Sequence, residues 1–576
     1  MNHSPSRLTH DRWLPRLTHD HWLLLVLLAA LPLYGSQLNV PLLEPEEIRQ
    51  AEVARQMLVT GQLIVPVLHG QPYLDKPPLL YWLLIGSYQL LGVGDVACRV
   101  VVGLCAWLTL VVVGVWLRCV PGTRGLAVWA VVVLALLPEF CYRARMLTMN
   151  SPLTLWTTAA LACGHLAGLA HSHQPPPHSP SPQPQPQPRL PRWRWCGLAG
   201  LCLGLGLLTK GPVAAVLVAL PLAVCVRLGW RGWLILAATA LAIAAPWYAA
   251  VAYREPDFAR YFFLFHHVQR FATPFDHAKP WWFFLPWLAL GTLPWTIAAA
   301  LGWWRAGRTD ATRCTDAAGC TDATRCTDAA GRTATAGGTD AARSPTSGQL
   351  CLLTGLAAGW TVLFFSIAGS KRPGYILPAL PPLAVLLAAS VCRLAGRRPL
   401  LTQSLVVGMA ALLVFAVNLW LPAYHDRFAL RQAVRSGLAG AIHPPGGAGG
   451  VTVPIYSYPR RWDSISFYLQ RQDVQAFTPA QVPELLTQLR QVDTAVLAVK
   501  TDALAELLAQ FPADLHFELR WQTGWLTTGI VRSTGTGHAP STGTGHAPST
   551  GTGHAAQHPP EPGQALAQGR GVPGRQ

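Results

Sequence analysis

Long apolar runs alternate with short polar ones along most of this chain. The runs fall at 22–38, 97–117, 124–140, 152–170, 197–209, 212–227, 232–250, 281–304, 350–368, 374–394 and 401–421. Most approach or exceed the roughly 17–25 residues that a helix needs to span a bilayer. The pattern predicts a polytopic α-helical membrane protein of about 11–13 transmembrane helices. The pair around 197–227 is short for two spans and can also be read as one kinked helix. The run 79–91 has only 13 residues and reads as a further span or an interfacial helix. Residues 22–34 have no small-residue cleavage site after them, so they read as a first transmembrane helix and not as a removed signal peptide.

The pattern changes after residue 421. Over 425–532, short β-rich runs (Val451–Ile455, Ala495–Val499, Leu515–Leu519, Leu526–Val531) alternate with helical stretches (Asp463–Gln470, Pro483–Arg490, Ala503–Gln510). This predicts a small soluble α/β domain. Three segments are too polar and repetitive to bury a core. Residues 174–195 begin as a Pro/Gln/Ser-rich tract. Residues 306–347 carry a hexapeptide repeat, and 533–576 are a tail repeating STGTGHAP. Cys314, Cys320 and Cys326 resemble a metal ladder, but each ends or follows one unit of the hexapeptide repeat, and repeat drift explains them.

Composition agrees with a membrane protein. Of 576 residues, 51% are hydrophobic and 12% charged, against about 25% charged in soluble proteins. The net charge of +17 does not mark a nucleic-acid binder, because the arginines sit mostly in short loops between apolar runs, where orientation bias places them. With 79–91 at the interface, eleven crossings put residues 1–21, the loops rich in arginine and both low-complexity loops in the cytoplasm. The same count puts 39–96, 141–151, 251–280, 369–373 and the α/β domain on the far side. The expected location is the plasma (inner) membrane, with an extracytoplasmic C-terminal domain. There are 13 cysteines and none after Cys392, so that domain has no internal disulfide.

Candidate chemistry gathers in the outer loops. Glu44, Glu46, Glu47, Arg49 and Glu52 crowd together just after the first helix. Lysine is scarce: the chain has 5 lysines and 39 arginines. A compact ammonium is a different phosphate ligand from a planar guanidinium, so a chain that otherwise uses arginine keeps lysine where that geometry matters. Lys76, in DKPP, and Lys371, in GSKRPGY, stand out on this ground. Lys210 and Lys279 also fall at the outer face, whereas Lys500 reads as chance retention. In the loop 253–282, His266, His267 and Arg270 share one helical face, flanked by aromatic residues suited to an interface.

In order, PEEIR, GQPYLDKPPLLYW, LTKGP, HHVQRF and AGSKRPGYILPALPP resemble the lipid A aminoarabinose transferase family. That family belongs with the protein O-mannosyltransferases in the GT-C class of glycosyltransferases. The resemblance runs from about residue 20 to 421, which makes 22–421 the catalytic domain. It implies a polyprenyl-phosphate-linked sugar donor, a hydroxyl acceptor on lipid A, a glycan or a protein, and a site facing outward. The family's first-loop aspartate corresponds to Glu46, and a second family acid corresponds to Asn150, which cannot act as a base.

On this reading a carboxylate takes the acceptor's proton as its oxygen attacks the anomeric carbon. Glu46 is the first candidate and Glu47 the second. Cations stabilise the charge developing on the leaving phosphate; the candidates are Arg49, Lys76, Arg270 and Lys371, with Tyr375 donating a hydrogen bond. The resemblance also allows a divalent cation held by Asp75 and His267, a donor pair acceptable to zinc. A lipid or sugar transporter would also need many helices, but it favours internal repeats and charge at mid-bilayer, and neither is evident. A non-catalytic scaffold leaves the loop acids and the retained lysines without a reason.

Overall fold

A computed structural model describes residues 18–172, 190–269, 279–301, 345–428, 430–442 and 453–534. Arg270, the hexapeptide repeat and the STGTGHAP tail lie outside the described residues. Each of the eleven apolar runs carries helix. Among the described residues, six helices are long and apolar enough to cross a membrane, and a seventh span is a pair, Trp281–Gly291 and Trp295–Leu301, bent by 79°. The run 124–140 is broken into α5 (Arg124–Ala135) and α6 (Pro138–Arg143). Pro138 has no N–H to continue a helix, and it opens the second piece as an N-terminal proline does. The run 79–91 is the 13-residue helix α3 (Leu79–Leu91). One boundary moves inward. Arg192–Trp195, expected in a low-complexity loop, form the first turn of α8 (Arg192–Lys210).

The helices pack around one apolar core drawn from α1 (His19–Gly35), α4 (Asp95–Cys119), α5, α7 (Asn150–Ser172), α8, α9 (Val213–Cys225) and the later spans. Small residues let backbones approach where lipid supplies no hydrophobic drive. A Cβ on Gly200 of α8 would stand 2.4 Å from the Leu236 carbonyl oxygen of α10 (Gly229–Arg254), so that crossing requires glycine.

Two further elements complete the end of the bundle that carries the first loop. After α1 the chain forms α2 (Glu46–Thr60) and a hairpin of β1 (Val67–Leu68) and β2 (Gln71–Pro72). The two hairpin turn residues, His69 and Gly70, have φ of 56° and 76°, the signs that a two-residue turn needs to follow strand twist. The C-terminal α/β unit is a five-stranded mixed sheet in the order β4–β3–β5–β7–β6. Its strands are β3 (Ile455–Tyr458), β4 (Gln475–Ala476), β5 (Thr494–Lys500), β6 (Leu515–Gln522) and β7 (Leu526–Ser533). β3 pairs in parallel with β4 and β5, and β5, β7 and β6 pair antiparallel.

The central strand β5 is buried on both faces. Side chains alternate across a strand, and the alternation divides β5 between two cores. Ala495, Leu497 and Val499 face the unit's own helices with Leu485, Leu489 and Leu507. Val496 and Ala498 belong to a second core with Leu42, Ile48, Ala51 and Val53 of the first loop and with Tyr81 and Leu84 of α3. The C-terminal sheet therefore shares a core with the loop that carries the charged residues.

Candidate active site

A cavity of about 1040 Å³ opens between the first loop, α6, the start of α7, the end of α8, residues Tyr261, Phe265, Lys279 and Phe283, and the segment 364–375. Glu46 and Asp75 are its two carboxylates. Arg49, Lys76, Arg143, Lys210, Lys279, Lys371 and Arg372 line it too, seven basic side chains in all.

Helix phase sorts the first-loop residues. Successive residues of an α-helix point about 100° apart, and residues three and four apart share a face. Glu46, Arg49 and Gln50 of α2 accordingly line the cavity. The Glu46 side chain is 39% exposed and is paired with Arg372. Both Glu46 and Glu47 stand in the first turn of α2, where the helix dipole favours negative charge.

Glu47 points the other way. It is 0% exposed and does not line the cavity. Arg99 of α4 grips it through two N–H donors, at 3.0 and 3.1 Å, and it accepts the backbone N–H groups of Leu43 (3.0 Å) and Leu147 (2.7 Å). Burial pushes its carboxyl up, but Arg99, His425 and these hydrogen bonds outweigh burial and hold it below the usual range. Its place is that of a structural anchor, which displaces the expectation of a second base.

The cations differ in what they touch. Lys76 lines the cavity, with Nζ 3.1 Å from the Asp75 carbonyl oxygen. Asp75 accepts the Tyr261 hydroxyl at 2.6 Å. Lys371 also lines the cavity, but its ammonium donates to the carbonyl oxygens of Ala368 (2.6 Å) and Lys279 (2.9 Å), tying two outer segments together. Arg49 donates through Nε–H to Asp463 of the C-terminal unit at 3.1 Å. Tyr375 lines the cavity and presents its ring to Lys210, whose Nζ is 4.2 Å from the centroid. Of the metal candidates, the backbone of His267 lies in the helical segment Arg260–Gln269, while its side chain lies outside the described residues, as does Arg270.

Sequence reasoning passed over Arg372, although it follows Lys371 in the same motif. The scarcity argument selects lysines, and Arg372 was invisible to it. Lys210 was noted only as an outer-face lysine. It donates to Asn150 Oδ1 at 2.8 Å, so the amide that replaces the family acid still accepts a lysine hydrogen bond.

The apolar helices and the cavity they enclose are those of a polytopic membrane protein with a GT-C-like fold. In sequence the chain is similar to the lipid A aminoarabinose transferases and to the protein O-mannosyltransferases. The family described as dolichyl-phosphate-mannose-protein mannosyltransferase matches residues 23–303. The undecaprenyl phosphate-alpha-4-amino-4-deoxy-L-arabinose arabinosyl transferase of Edwardsiella ictaluri is 32% identical over 371 residues, covering 61% of this chain and 56% of that protein. The protein of the same name from Erwinia tasmaniensis is 32% identical over 378 residues, with the same coverage. The chain thus aligns with a little over half the length of these curated relatives. The crystal structure of ArnT from Cupriavidus metallidurans bound to undecaprenyl phosphate has the same fold, with a TM-score of 0.64 at 20% identity, over 89% of this chain and 98% of that one.

Proposed function

We propose that the chain transfers a sugar from a polyprenyl-phosphate carrier to a hydroxyl acceptor at the outer face of the membrane. The observation that carries this reading is that, among the described residues lining one cavity in a membrane protein, basic side chains outnumber carboxylates seven to two, an excess that persists when the Arg49–Asp463 and Arg143–Glu139 pairs are set aside. Charge of that sign, enclosed between apolar helices, calls for an anionic ligand. The names of the relatives support undecaprenyl phosphate as the carrier and an amino sugar as the cargo. The acceptor belongs to the class of lipid A, glycan or protein hydroxyls.

In the reaction, the acceptor O–H gives its proton to the Glu46 carboxylate as its oxygen bonds to the anomeric carbon. The bond from that carbon to the phosphate oxygen breaks, and its electron pair stays on the phosphate. Polyprenyl phosphate leaves with Arg49 and Lys76 around it. Preorganised cations of this kind favour the transition state because charge grows there. Lys210 and Arg372 join them, and Lys371 shapes the wall. For a divalent cation the described residues supply one ligand, Asp75, already bonded to Tyr261, and they contain no group of three metal-ligating side chains. No step is assigned to a metal.

The protein sits in the inner membrane with its N-terminus cytoplasmic and its C-terminal unit outside. A reporter fused after residue 430 and found in the cytoplasm would overturn that orientation. The activity is tested with purified chain in lipid nanodiscs, supplied with an undecaprenyl-phosphate-linked aminopentose and lipid A. Mass spectrometry should show the acceptor gaining one sugar and free undecaprenyl phosphate appearing. Release of neither product, with this donor or with hexose-linked donors, contradicts the reading.

A further inference from the structure

One carboxylate outside the cavity touches both arms of the first loop. Asp463 opens the C-terminal helix Asp463–Leu469, and its side chain is 6% exposed. One oxygen accepts Arg49 Nε–H at 3.1 Å, and the other lies 2.7 Å from His69 Nε2. Arg49 stands one turn after Glu46 on α2 and lines the cavity. His69 is in the turn of the hairpin that leads directly to Tyr73, Asp75 and Lys76, which also line the cavity. The contact occupies Nε–H, one of the five N–H donors of the guanidinium, so it restrains Arg49 without covering the whole group.

Asp463 is itself held in place. Its neighbour Ser464 donates its backbone N–H (2.7 Å) and its hydroxyl (2.6 Å) to Glu44, two residues before Glu46. A few residues further on, Tyr468 donates to Asp95 at 2.8 Å, an oxygen that also takes the Leu42 N–H at 3.1 Å. This helix is thus fixed to the first-loop region at three points along its length. Burial pushes the Asp463 carboxyl up, but His69 and Arg49 outweigh it and hold the group below the usual carboxylate range, as suits a permanent anion between two donors.

We propose that Asp463 is a positioning residue of the cavity, by which the C-terminal unit orients Arg49 and the hairpin for binding the carrier phosphate. The inference rests on the proposed function. It makes the C-terminal unit a working part of the site, although more than 400 residues separate Asp463 from Arg49 in the chain. A buried hydrogen-bonded charge that fixes a cation is expected to act on ligand binding and not only on folding.

The test is a double-mutant cycle on undecaprenyl phosphate binding by the full chain in nanodiscs, with thermal stability followed in parallel. Arg49→Ala and Asp463→Ala should each weaken binding about tenfold. The double variant should lose clearly less than the product of the two single losses, because Asp463 acts in part through Arg49 and in part through the His69 hairpin. Arg431→Ala, which breaks a different ion pair of the same junction, with Asp95 at 3.0 Å, and touches neither Asp463 nor Arg49, should bind as wild type. Asp463→Asn keeps the side-chain volume but puts an NH₂ donor where an acceptor stood, so it should also weaken binding; it supplies the reading if the alanine variant does not insert. Wild-type affinity in both Asp463 variants overturns the inference. So does a double variant whose loss is the product of the two single losses, which is the signature of independent, merely structural effects. Failure of the wild-type chain itself to bind undecaprenyl phosphate instead overturns the proposed function.

Discussion

The cavity and the junction between the first loop and the C-terminal unit lie on opposite sides of α2, and both are rich in charge. In the junction four carboxylates each have a basic partner, and a fifth, Glu44, is held by Ser464 alone. Glu47 is held by Arg99, Glu52 by Arg55 at 2.7 Å, Asp95 by Arg431 at 3.0 Å, and Asp463 by Arg49 and His69. Among the described residues that line the cavity, seven basic groups meet two carboxylates, and an excess of basic groups remains after Arg49 and Arg143 are set against Asp463 and Glu139. Balanced buried charge holds a structure together, because each group has its partner and removing one leaves the other stranded. Unbalanced charge around open space anticipates a ligand. Within one turn of helix the same residue type serves both ends, Glu47 in the junction and Glu46 in the cavity.

The sharpest way to break this contrast is to swap the roles of those neighbours. Glu47→Gln strands a buried guanidinium and should cost about 3–5 kcal/mol of stability, read as a lower thermal midpoint in detergent. Turnover per folded molecule should stay near wild type. A stable Glu47→Gln protein with no turnover would return Glu47 to the chemistry.

On the cavity side, Lys76→Ala should lower turnover by roughly 100- to 1,000-fold, the usual effect of losing one preorganised donor, with the thermal midpoint unchanged. Lys76→Arg should also be poor, since a planar fork does not reproduce an ammonium. Wild-type kinetics in the alanine variant would remove this lysine from the site.

The smallest effect is a pH dependence of the junction. Burial, and then the nearby Asp463 charge, push the Glu44 carboxyl up to about 7 from 4.5. The folded protein therefore binds this proton more tightly than the unfolded chain does. The resulting stabilisation is fully present below pH 4.5 and is lost as pH rises through about 7. The expected size is on the order of 1–3 kcal/mol. Comparing thermal midpoints at pH 5 and pH 7.5 should show this difference in wild type, with the part due to Glu44 absent in Glu44→Gln. Identical pH profiles for the two proteins would contradict it.

Much of this was legible in the sequence. Each of the eleven apolar runs carries helix, and strand-period runs located four of the five strands of the C-terminal sheet. β3 alone is displaced, running from Ile455 where the pattern placed it over Val451–Ile455. Glu46, Arg49, Asp75, Lys76, Lys371 and Tyr375 were all named from motifs, and the structure places all six around one cavity.

The remainder depends on long-range partners. Nothing local distinguishes Glu46 from Glu47; the distinction comes from the phase of α2 and from Arg99, 52 residues away. Lysine scarcity singled out Lys371, but its ammonium reaches carbonyl oxygens brought in by the segment around Lys279. The shared core was hidden for a related reason. Val496 and Ala498 read as one face of an ordinary strand, and the pattern along a strand does not say which apolar surface will cover that face.

The most direct test of the account is the turnover of Glu46→Gln beside that of Glu47→Gln, in lipid-reconstituted protein and normalised to folded molecules. Glu46→Gln should fold normally, with its thermal midpoint close to wild type, and lose roughly 100- to 10,000-fold in turnover, the usual contribution of a general base. Glu47→Gln should show the reverse, near-normal turnover from a destabilised protein. Wild-type turnover in Glu46→Gln would contradict the assignment of the base and, with it, the division of the first loop into a cavity side and a junction side.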